Sequence, residues 1–313
     1  MKCRRCGEVA VIDLPRHNAA FCKPCFLEYF ARQVQQAISK FRMFARHHRV
    51  MVAVSGGKDS LALWHWLASH GQPTVGLYID LGIAEYSRVS RERCEAFAQR
   101  MGLQLEVVDV RQETGFSTPA LAARVRRTTC SVCGLVKRYF TNRTARRLQV
   151  AAVATGHNLD DEASTLLGNV LHWQMGYLAR QHPVLPAADG LVRRVKPLFT
   201  LTERETLAYC LLQGIDFLEE ECPHARGATS ILYKELLNRL ELISPGTKHQ
   251  FLLGFLRRAR PSFSQAEPPP ELGACRECGE PSTAEVCAYC RMLSGARRAD
   301  DAFATKENKG GIT

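Results

Sequence analysis

The hexapeptide Ser55-Gly56-Gly57-Lys58-Asp59-Ser60 decides the fold of this chain. An apolar run at residues 50–54 precedes it, and residues 61–67 place apolar side chains at helical spacing. This order predicts a buried strand, a tight glycine turn and an amphipathic helix. The glycines let backbone N–H groups approach an anion, and the helix start adds unpaired N–H groups and a positive dipole end. The hexapeptide therefore predicts a phosphate-binding loop, with an ordinary Gly-Gly turn as the alternative.

The spacing of this loop separates it from two common nucleotide-binding motifs. It matches neither the GxxxxGK[ST] of the mononucleotide P-loop nor the GxGxxG of dinucleotide-binding proteins. Ser55 and Ser60 can donate hydrogen bonds to phosphate oxygens, and Lys58 can neutralise phosphate charge. The pattern SGGxDS resembles the pyrophosphate loop of enzymes that split ATP into AMP and pyrophosphate.

Length and composition limit the class of protein. The chain has 313 residues, of which 46% are hydrophobic, enough for one sizeable domain with small attachments. Its formal net charge of +11 favours a polyanionic partner such as RNA or DNA, although a merely basic soluble protein would carry the same charge. No apolar run approaches the ~20 residues of a membrane span, and the N-terminus lacks the apolar segment of a signal peptide. We therefore expect a cytoplasmic protein with no membrane partner.

Strand-like and helix-like segments alternate through the middle of the chain. The predicted helices cover residues 28–43, 87–101, 134–148 and 158–171, and the predicted strands after the first cover residues 74–79, 105–110 and 150–155. Such alternation predicts an α/β fold with a Rossmann-like parallel sheet, which binds ligands at the carboxyl ends of its strands. Residues 197–260 are mostly helical in pattern, and a proline-rich linker is expected at residues 261–270.

Cysteine spacing predicts two structural zinc sites. Ten of the 13 cysteines form five Cys-x-x-Cys pairs, and a cytoplasmic location does not favour a disulfide framework. Four thiolates close a tetrahedron around Zn²⁺ without an open position, so each quartet would fold its own small module. The two quartets are Cys3, Cys6, Cys22 and Cys25 near the start, and Cys275, Cys278, Cys287 and Cys290 near the end.

The middle pair, Cys130 and Cys133, has no second pair beside it and lies among arginines and lysines, which favour the thiolate. A redox dithiol, part of a metal site and a plain buried pair all fit this pattern. Cys222 precedes a proline in a probable loop, whereas Cys94 and Cys210 fall within helices as small apolar residues. A trio of Cys130, Cys133 and Cys222 would leave one iron of an iron–sulfur cluster open to substrate.

A second polar turn, Thr155-Gly156-His157-Asn158-Leu159-Asp160-Asp161-Glu162, follows a predicted strand and opens a predicted helix. Gly156 permits close approach of the backbone. Asp160 and Asp161 could only cap the helix, but beside a triphosphate they could hold Mg²⁺ or position a reacting group. The dense polar cluster at a second strand end favours the functional interpretation.

In its motifs and their order, the chain resembles the TtuA group of tRNA 2-thiolation enzymes. The motifs that carry this resemblance are SGGKDS, the lone Cys-Ser-Val-Cys, the Gly156 turn, Glu-Cys-Pro-His-Ala and the two terminal quartets. The resemblance runs from residue 1 to about residue 293. It implies a PP-loop ATP pyrophosphatase domain between two zinc modules. The expected division is an N-terminal zinc finger at 1–27, a helical linker at 28–48, the catalytic domain at 49–220, a helical extension and linker at 221–270, a C-terminal zinc finger at 271–295 and a disordered tail at 296–313.

The resemblance also implies a role for each site residue. Cys130, Cys133 and Cys222 would hold a 4Fe-4S cluster, and the main chain at Ala53 and Ile79 would read the adenine. The remaining ATP-binding positions would be Ser55, Gly56, Gly57, Lys58, Asp59, Ser60, Lys137, Gly156 and Asp161. Of these, Lys58, Asp59, Lys137 and Asp161 would serve catalysis, the lysines by stabilising phosphate charge and Asp161 through Mg²⁺ or by orienting the nucleotide.

The implied reaction transfers AMP to the C2 oxygen of a uridine or 5-methyluridine in the tRNA T-loop, after which sulfur displaces AMP. The family expectation includes a ubiquitin-like thiocarboxylated carrier as sulfur donor and a homodimer. Thiolation of an anticodon-loop uridine or cytidine, another ATP-splitting tRNA modification and a noncatalytic zinc-ribbon RNA-binding protein are the alternatives.

Overall fold

The computed structural model describes residues 1–225, 227, 229–266 and 271–307. The strands in these residues are β1 Ile12–Leu14, β2 Ala19–Phe21, β3 Val50–Val54, β4 Thr74–Asp80, β5 Leu105–Asp109, β6 Ala152–Thr155, β7 Val184–Leu185, β8 Arg194–Val195, β9 Gly273–Ala274 and β10 Pro281–Ser282. The α-helices are α1 Lys23–Lys40, α2 Lys58–Ser69, α3 Ala84–Met101, α4 Val110–Thr114, α5 Thr118–Arg124, α6 Thr129–Arg147, α7 Leu159–Leu171, α8 Met175–Arg180, α9 Glu203–Gln213, α10 Thr229–Ile243, α11 Thr247–Gly254, α12 Arg260–Ala266 and α13 Ala288–Glu307.

A six-stranded sheet in the order β5-β4-β3-β6-β8-β7 forms the centre of the fold. All neighbouring strands are parallel except β7, which pairs with β8 in the antiparallel sense. The chain runs outward from β3 through β4 to β5 and then returns to the other side of β3 with β6. The predicted α/β fold with a parallel sheet is therefore confirmed. The order reverses between β3 and β6, and such a switch point opens a crevice at the carboxyl ends of the two strands.

The contact between Trp64 of α2 and Gly76 of β4 determines how closely α2 packs on the sheet. Trp64 is fully buried, and a Cβ atom on Gly76 of β4 would lie 2.4 Å from its ring. The indole Nε1 of Trp64 donates to the Thr74 hydroxyl at 3.1 Å, so its polar edge is satisfied inside the core. Because only glycine fits beneath this ring, the helix that follows the phosphate loop is held close to β4.

Two helices and one strand begin or end away from their predicted bounds. Helix α6 starts at Thr129 rather than at residue 134, because the Thr128 hydroxyl accepts from the Ser131 N–H and caps it. The predicted strand at 105–110 stops at Asp109, whose carboxylate caps α4. Helix α1 starts at Lys23, directly after Cys22, rather than at residue 28. The second Cys-x-x-Cys pair of the first zinc module therefore adjoins α1.

The end of the chain differs from the prediction of a disordered tail at 296–313. Helix α13 continues to Glu307, and residues 308–313 lie outside the described residues. The predicted linker at 261–270 is helical as far as Ala266, and its remaining residues, 267–270, also lie outside the described residues. None of the described helices is both long and apolar enough to cross a bilayer.

The two cysteine modules pack against different helices of the central domain, the first against α9 and the last against α6. Arg16 of the first module forms a buried ion pair with Glu205 of α9, 2.9 Å between Nη2 and Oε1, and the Tyr29 hydroxyl donates to the same oxygen. In the last module, the Tyr289 ring stacks on Tyr139 of α6 with 3.6 Å between ring centroids. Both modules therefore contact the central domain through specific side chains.

Candidate functional site

The phosphate loop connects β3 to α2 and is held by two serine hydroxyls. Ser60 accepts from the Ser55 N–H at 3.2 Å and donates to the Gly57 carbonyl at 3.0 Å. Ser90 of α3 donates to the Ser55 carbonyl at 2.7 Å. Gly56 has φ +73, and a Cβ atom there would lie 2.8 Å from the Ser90 carbonyl oxygen. Glycine is thus required at residue 56 by both conformation and space, and the Ser60 hydroxyl is engaged within the loop.

The second polar turn lies directly against the phosphate loop. A Cβ atom on Gly156 would be 2.7 Å from the Ser60 backbone nitrogen and 2.8 Å from the Asp59 carbonyl carbon. Residue 156 directly follows β6, and the loop follows β3, so the contact spans the switch point of the sheet. The structure therefore brings together the two polar turns that the sequence singled out.

Each of three consecutive acids at the start of α7 meets a different lysine. Asp161 lies 2.6 Å from Lys234 Nζ, Glu162 lies 2.8 Å from Lys196 Nζ, and Asp160 contacts Lys248. The Asp160 and Lys248 side chains are each only 5% exposed. A buried charge pair of this kind is costly to break by removing one partner. These lysines come from distant parts of the chain and fix the first turn of α7 in place.

Asp161 both caps the helix and stays ionised. Its carboxylate accepts from the Asn158 N–H at 3.1 Å, and its own N–H donates to the Asn158 side chain at 3.1 Å, which forms a capping box. Burial raises the pKa of Asp161, but the charges of Lys234 and His157 and the hydrogen bonds from Lys234 and the Asn158 N–H together outweigh burial, and the pKa lies below its usual value. The capping interpretation is therefore confirmed, and the carboxylate also remains an anion that could bind Mg²⁺.

Lys58 and Asp59 open α2 at the mouth of the crevice. Lys58 Nζ lies 2.6 Å from Glu203 Oε1 and 3.5 Å from Asp59 Oδ2. Burial lowers the pKa of Lys58, but the two carboxylates raise it more, so the ammonium stays charged. Burial raises the pKa of Asp59, whose Oδ1 accepts from the Asn158 amide at 3.1 Å and from the Thr206 hydroxyl. Asp59 thus joins the two polar turns through hydrogen bonds.

The residues expected to read adenine, Ala53 and Ile79, are the next-to-last residues of neighbouring parallel strands, β3 and β4. Their main chains therefore reach the same edge of the sheet as the phosphate loop. Lys137 is an exposed residue of α6, one turn after Cys133, and its side chain has no hydrogen-bond or ion-pair partner among the described residues. Its ammonium group is therefore not engaged by another described residue.

The two cysteine quartets have the geometry of closed zinc sites. In each quartet the four sulfur atoms all lie within 4.8 Å of one another. Individual separations are 3.4 Å for Cys6 to Cys22 and 3.8 Å for Cys278 to Cys287, whereas tetrahedral zinc with Zn–S bonds of about 2.3 Å requires roughly 3.8 Å. Backbone N–H groups, first that of Cys22, lower the pKa of the Cys3 thiol to about 6. The donor set and its hydrogen bonds fit Zn²⁺.

The three other candidate metal ligands converge more loosely. Cys130 and Cys133 lie in the first turns of α6, and the Cys130 thiol donates to the His224 carbonyl at 3.1 Å, which ties the 222–225 segment to that helix. Unlike the sulfurs of each quartet, their sulfurs and that of Cys222 do not all lie within 4.8 Å of one another. In an iron–sulfur cluster each thiolate can bind a different iron. The donor set is three thiolates, which fits iron–sulfur chemistry.

A backbone contact links this trio to the phosphate loop. The Leu218 N–H donates to the Gly56 carbonyl at 2.9 Å, and Gly57 and Leu218 form a parallel bridge. Cys222 follows this anchor by four residues, which span at most about 14 Å when fully extended. Cys133 and Cys222 also pack in the same apolar cluster as the C-terminal module and Ile83, which follows β4. The segment that bears Cys222 is therefore anchored to the phosphate loop.

Sequence reasoning missed four polar residues of the crevice. Helix α9 contributes Glu203 and Thr206, α10 contributes Lys234, and α11 contributes Lys248. The only local signal was the Thr202-x-x-Glu205 capping box at the start of α9, which predicts a helix start but not its position against α7.

Two family models match parts of the chain. Residues 27–226 match the family model of the PP-loop domain. Residues 2–27 match the model described as 2-thiouridine synthetase TtuA, N-terminal LIM domain.

Curated relatives extend over nearly the whole chain. It is 49% identical to the tRNA-5-methyluridine(54) 2-sulfurtransferase of Thermus thermophilus, over 95% of this chain and 92% of that protein. It is 43% identical to the protein of the same name from Thermotoga maritima, over 93% and 96%. Among solved structures, the U34-tRNA thiolase NcsA from Methanococcus maripaludis with its [4Fe-4S] cluster is similar, with a TM-score of 0.81, 25% identity and coverage of 94% and 96%.

Proposed function

The chain belongs to the PP-loop family of tRNA 2-sulfurtransferases, and from that premise we propose that it replaces the C2 oxygen of 5-methyluridine at tRNA position 54 with sulfur. One observation carries the proposal: the loop at Gly56 is bonded through Leu218 to the segment that bears Cys222. The proposal therefore joins an ATP-binding turn and a sulfur-handling cysteine trio at one site. The close relatives named for position 54 favour that nucleotide over the alternatives.

The first half of the proposed reaction activates the base. A carbonyl oxygen is a poor leaving group, so the C2 oxygen attacks the α-phosphorus of ATP and pyrophosphate departs. Backbone N–H groups of residues 55–57 and the start of α2 bind the phosphates. Lys58 stabilises the charge that develops on the departing pyrophosphate, and Lys137 would approach from α6. Asp161, held ionised by Lys234, binds Mg²⁺ or orients the nucleotide.

The second half exchanges oxygen for sulfur. A sulfur nucleophile adds to C2, and AMP then leaves with the original oxygen, so that each thiolated base consumes one ATP. Cys130, Cys133 and Cys222 would hold a 4Fe-4S cluster, which supplies an iron without a protein ligand at which sulfur can be held for transfer. The chain's own contribution here is position, because the His224 carbonyl contact fixes the Cys222 segment against α6.

Four further elements complete the proposal. The net charge of +11 suits a tRNA substrate, and tRNA modification suits the cytoplasm. A ubiquitin-like carrier with a C-terminal thiocarboxylate would deliver the sulfur.

The chain would act as a homodimer, supported by an exposed apolar stripe on α10. Leucines at helical spacing form this stripe, with exposed fractions of 52%, 41% and 50% for Leu232, Leu236 and Leu240.

The test is mass spectrometry of tRNA nucleosides from a deletion strain that expresses either the intact protein or its Lys58→Met variant. We expect 2-thio-5-methyluridine to be absent from the deletion strain, restored by the intact protein and not restored by the variant. Loss of a thiolated nucleoside in the anticodon loop would instead support the U34 alternative, which the NcsA similarity favours. Unchanged tRNA thiolation in the deletion strain would contradict both.

A further inference from the structure

A cleft with a volume of about 870 Å³ opens at the opposite edge of the sheet from the nucleotide crevice. Its walls come from the end of α1, residues 42–48 and the end of α2, together with Ala151 just before β6. Helix α2 has 12 residues and is about 18 Å long, with the phosphate loop at its start and this cleft at its end. The cleft is therefore separate from the crevice, and its size is typical of a small-ligand site.

The charged side chains of this cleft are all basic. Arg42, Arg46 and Arg193 line it together with His48 and His70, and no aspartate or glutamate does so. None of the three arginines forms an ion pair within the part of the chain that the structure describes. Unpaired guanidinium groups that converge on a concave surface attract anions, and their planar geometry suits phosphate best.

Two buried donors in the cleft lack acceptors. Trp66 is 3% exposed, and its indole Nε1 has no hydrogen-bond partner among the described residues. The buried Nε of Arg193 has none there either, although its Nη2 donates to the Arg42 carbonyl at 2.7 Å. A buried donor left unpaired costs about 1–3 kcal/mol, so such groups usually meet a ligand or water. Both belong to residues that line the same cleft.

The wall of the cleft is preorganised. The Gln72 amide donates to the Ala45 carbonyl at 3.2 Å and also to the His48 carbonyl. The Ala45 N–H donates to His48 Nδ1 at 3.1 Å, so the proton of the neutral ring lies on Nε2, which is a further donor. These bonds hold the 45–48 segment in one shape without a ligand, which lowers the cost of binding.

We propose that this cleft is a second anion-binding site, which holds a phosphate ester against the Trp66 indole N–H and the three arginines. The phosphate could belong to the backbone of a bound RNA or to a free nucleotide, and both present the same acceptor oxygens. The inference goes beyond the proposed function and does not depend on it, because binding can be observed without turnover.

The experiment follows the indole N–H signals of the full metal-loaded chain labelled with ¹⁵N-tryptophan. The chain has three tryptophans, and Trp66→Phe assigns the Trp66 signal. Inorganic phosphate, UMP and the trinucleotide UpUpU without a terminal phosphate are titrated at constant ionic strength set with chloride. Trp64, whose indole already donates to Thr74, is the internal control. Arg42→Gln with Arg46→Gln is the test variant, and Arg88→Gln with Arg91→Gln, on exposed α3 positions, is its matched control.

We expect a saturable shift of the Trp66 signal but not of the Trp64 signal, with affinity reduced at least tenfold in the test variant and unchanged in the control. A shift by UpUpU identifies RNA backbone as a ligand, whereas a shift by phosphate and UMP alone identifies a free nucleotide. No Trp66 shift with any of the three probes overturns the proposal. The proposal is also overturned if the test variant binds the probe with the same affinity as the intact protein, because the arginines would then not contribute.

Discussion

Lys58 and Glu203 form an ion pair across the crevice, with 2.6 Å between Nζ and Oε1. Glu203 also lies 3.5 Å from Lys234, so one carboxylate of α9 is shared by the lysine of the phosphate loop and the lysine that holds Asp161. The two lysines and their acids form one charge network at the mouth of the crevice. A nucleoside triphosphate that binds Lys58 would compete with the Glu203 carboxylate for its ammonium group.

The first prediction concerns the charge at Lys58. Lys58→Met removes the ammonium that stabilises the departing pyrophosphate, and loss of one such electrostatic group costs about 10²–10³ in kcat. We expect tRNA-dependent pyrophosphate release to fall by that factor in single-turnover assays. Lys40→Met, at the exposed end of α1, is the control. Activity within threefold of the intact protein would remove Lys58 from the mechanism.

The second prediction concerns the contact between the two polar turns. Gly156→Ala would place a Cβ atom 2.7 Å from a backbone nitrogen, which cannot move without opening the phosphate loop. We expect a stability loss of about 1–3 kcal/mol and a large loss of ATP affinity, measured by urea denaturation and by calorimetric titration with ATP. Gly176→Ala is the matched control, because a Cβ atom there meets nothing within 4 Å. Equal behaviour of the two variants would contradict the close approach.

The third prediction concerns iron. Cys222→Ala removes one of three proposed thiolate ligands, so anaerobically purified protein should lose its iron and its tRNA thiolation activity while it keeps two zinc ions per chain. Cys94→Ala, which replaces a fully buried thiol of α3, should keep both metals. Elemental analysis measures both. Iron retained by Cys222→Ala would reassign the trio.

The fourth prediction concerns pH. His249 Nε2 lies 2.8 Å from the Thr200 carbonyl oxygen, and burial, followed by the charge of Arg16, lowers the pKa of His249 to about 3. An unfolded histidine has a pKa near 6.5, so between these values the unfolded chain binds the extra proton. The free energy of unfolding should therefore fall as pH drops below 6.5, with this residue contributing up to about 1.4 kcal/mol per pH unit.

Replacing the ring tests this contribution directly. In His249→Gln the fall in the free energy of unfolding between pH 7 and pH 5.5 should be shallower than in the intact protein, as urea denaturation at several pH values would measure. Zinc ligands titrate equally in both proteins, so the difference between the two slopes isolates His249. If the two proteins lose stability with the same slope, the His249 ring takes up its proton as readily in the folded chain as in the unfolded chain.

The parts of this structure that follow local rules could be predicted from sequence. The SGGKDS turn, the Gly156 turn and the two cysteine quartets depend on spacing along the chain, and the alternation of segments fixed the parallel sheet. Glu203 and Lys234 could not be predicted, because α9 and α10 meet α7 only through tertiary packing. The start of α6 was missed because Thr128 was not identified as a cap.

The three lysines that hold the start of α7 have a consequence for protein synthesis. They lie between 34 and 88 residues after the acids they contact, so a nascent chain on the ribosome completes its parallel sheet well before Lys234 and Lys248 emerge. Until then Asp160 and Asp161 repel each other at one helix end without counterions. The start of α7 can therefore reach its final arrangement only after α10 and α11 have been synthesised.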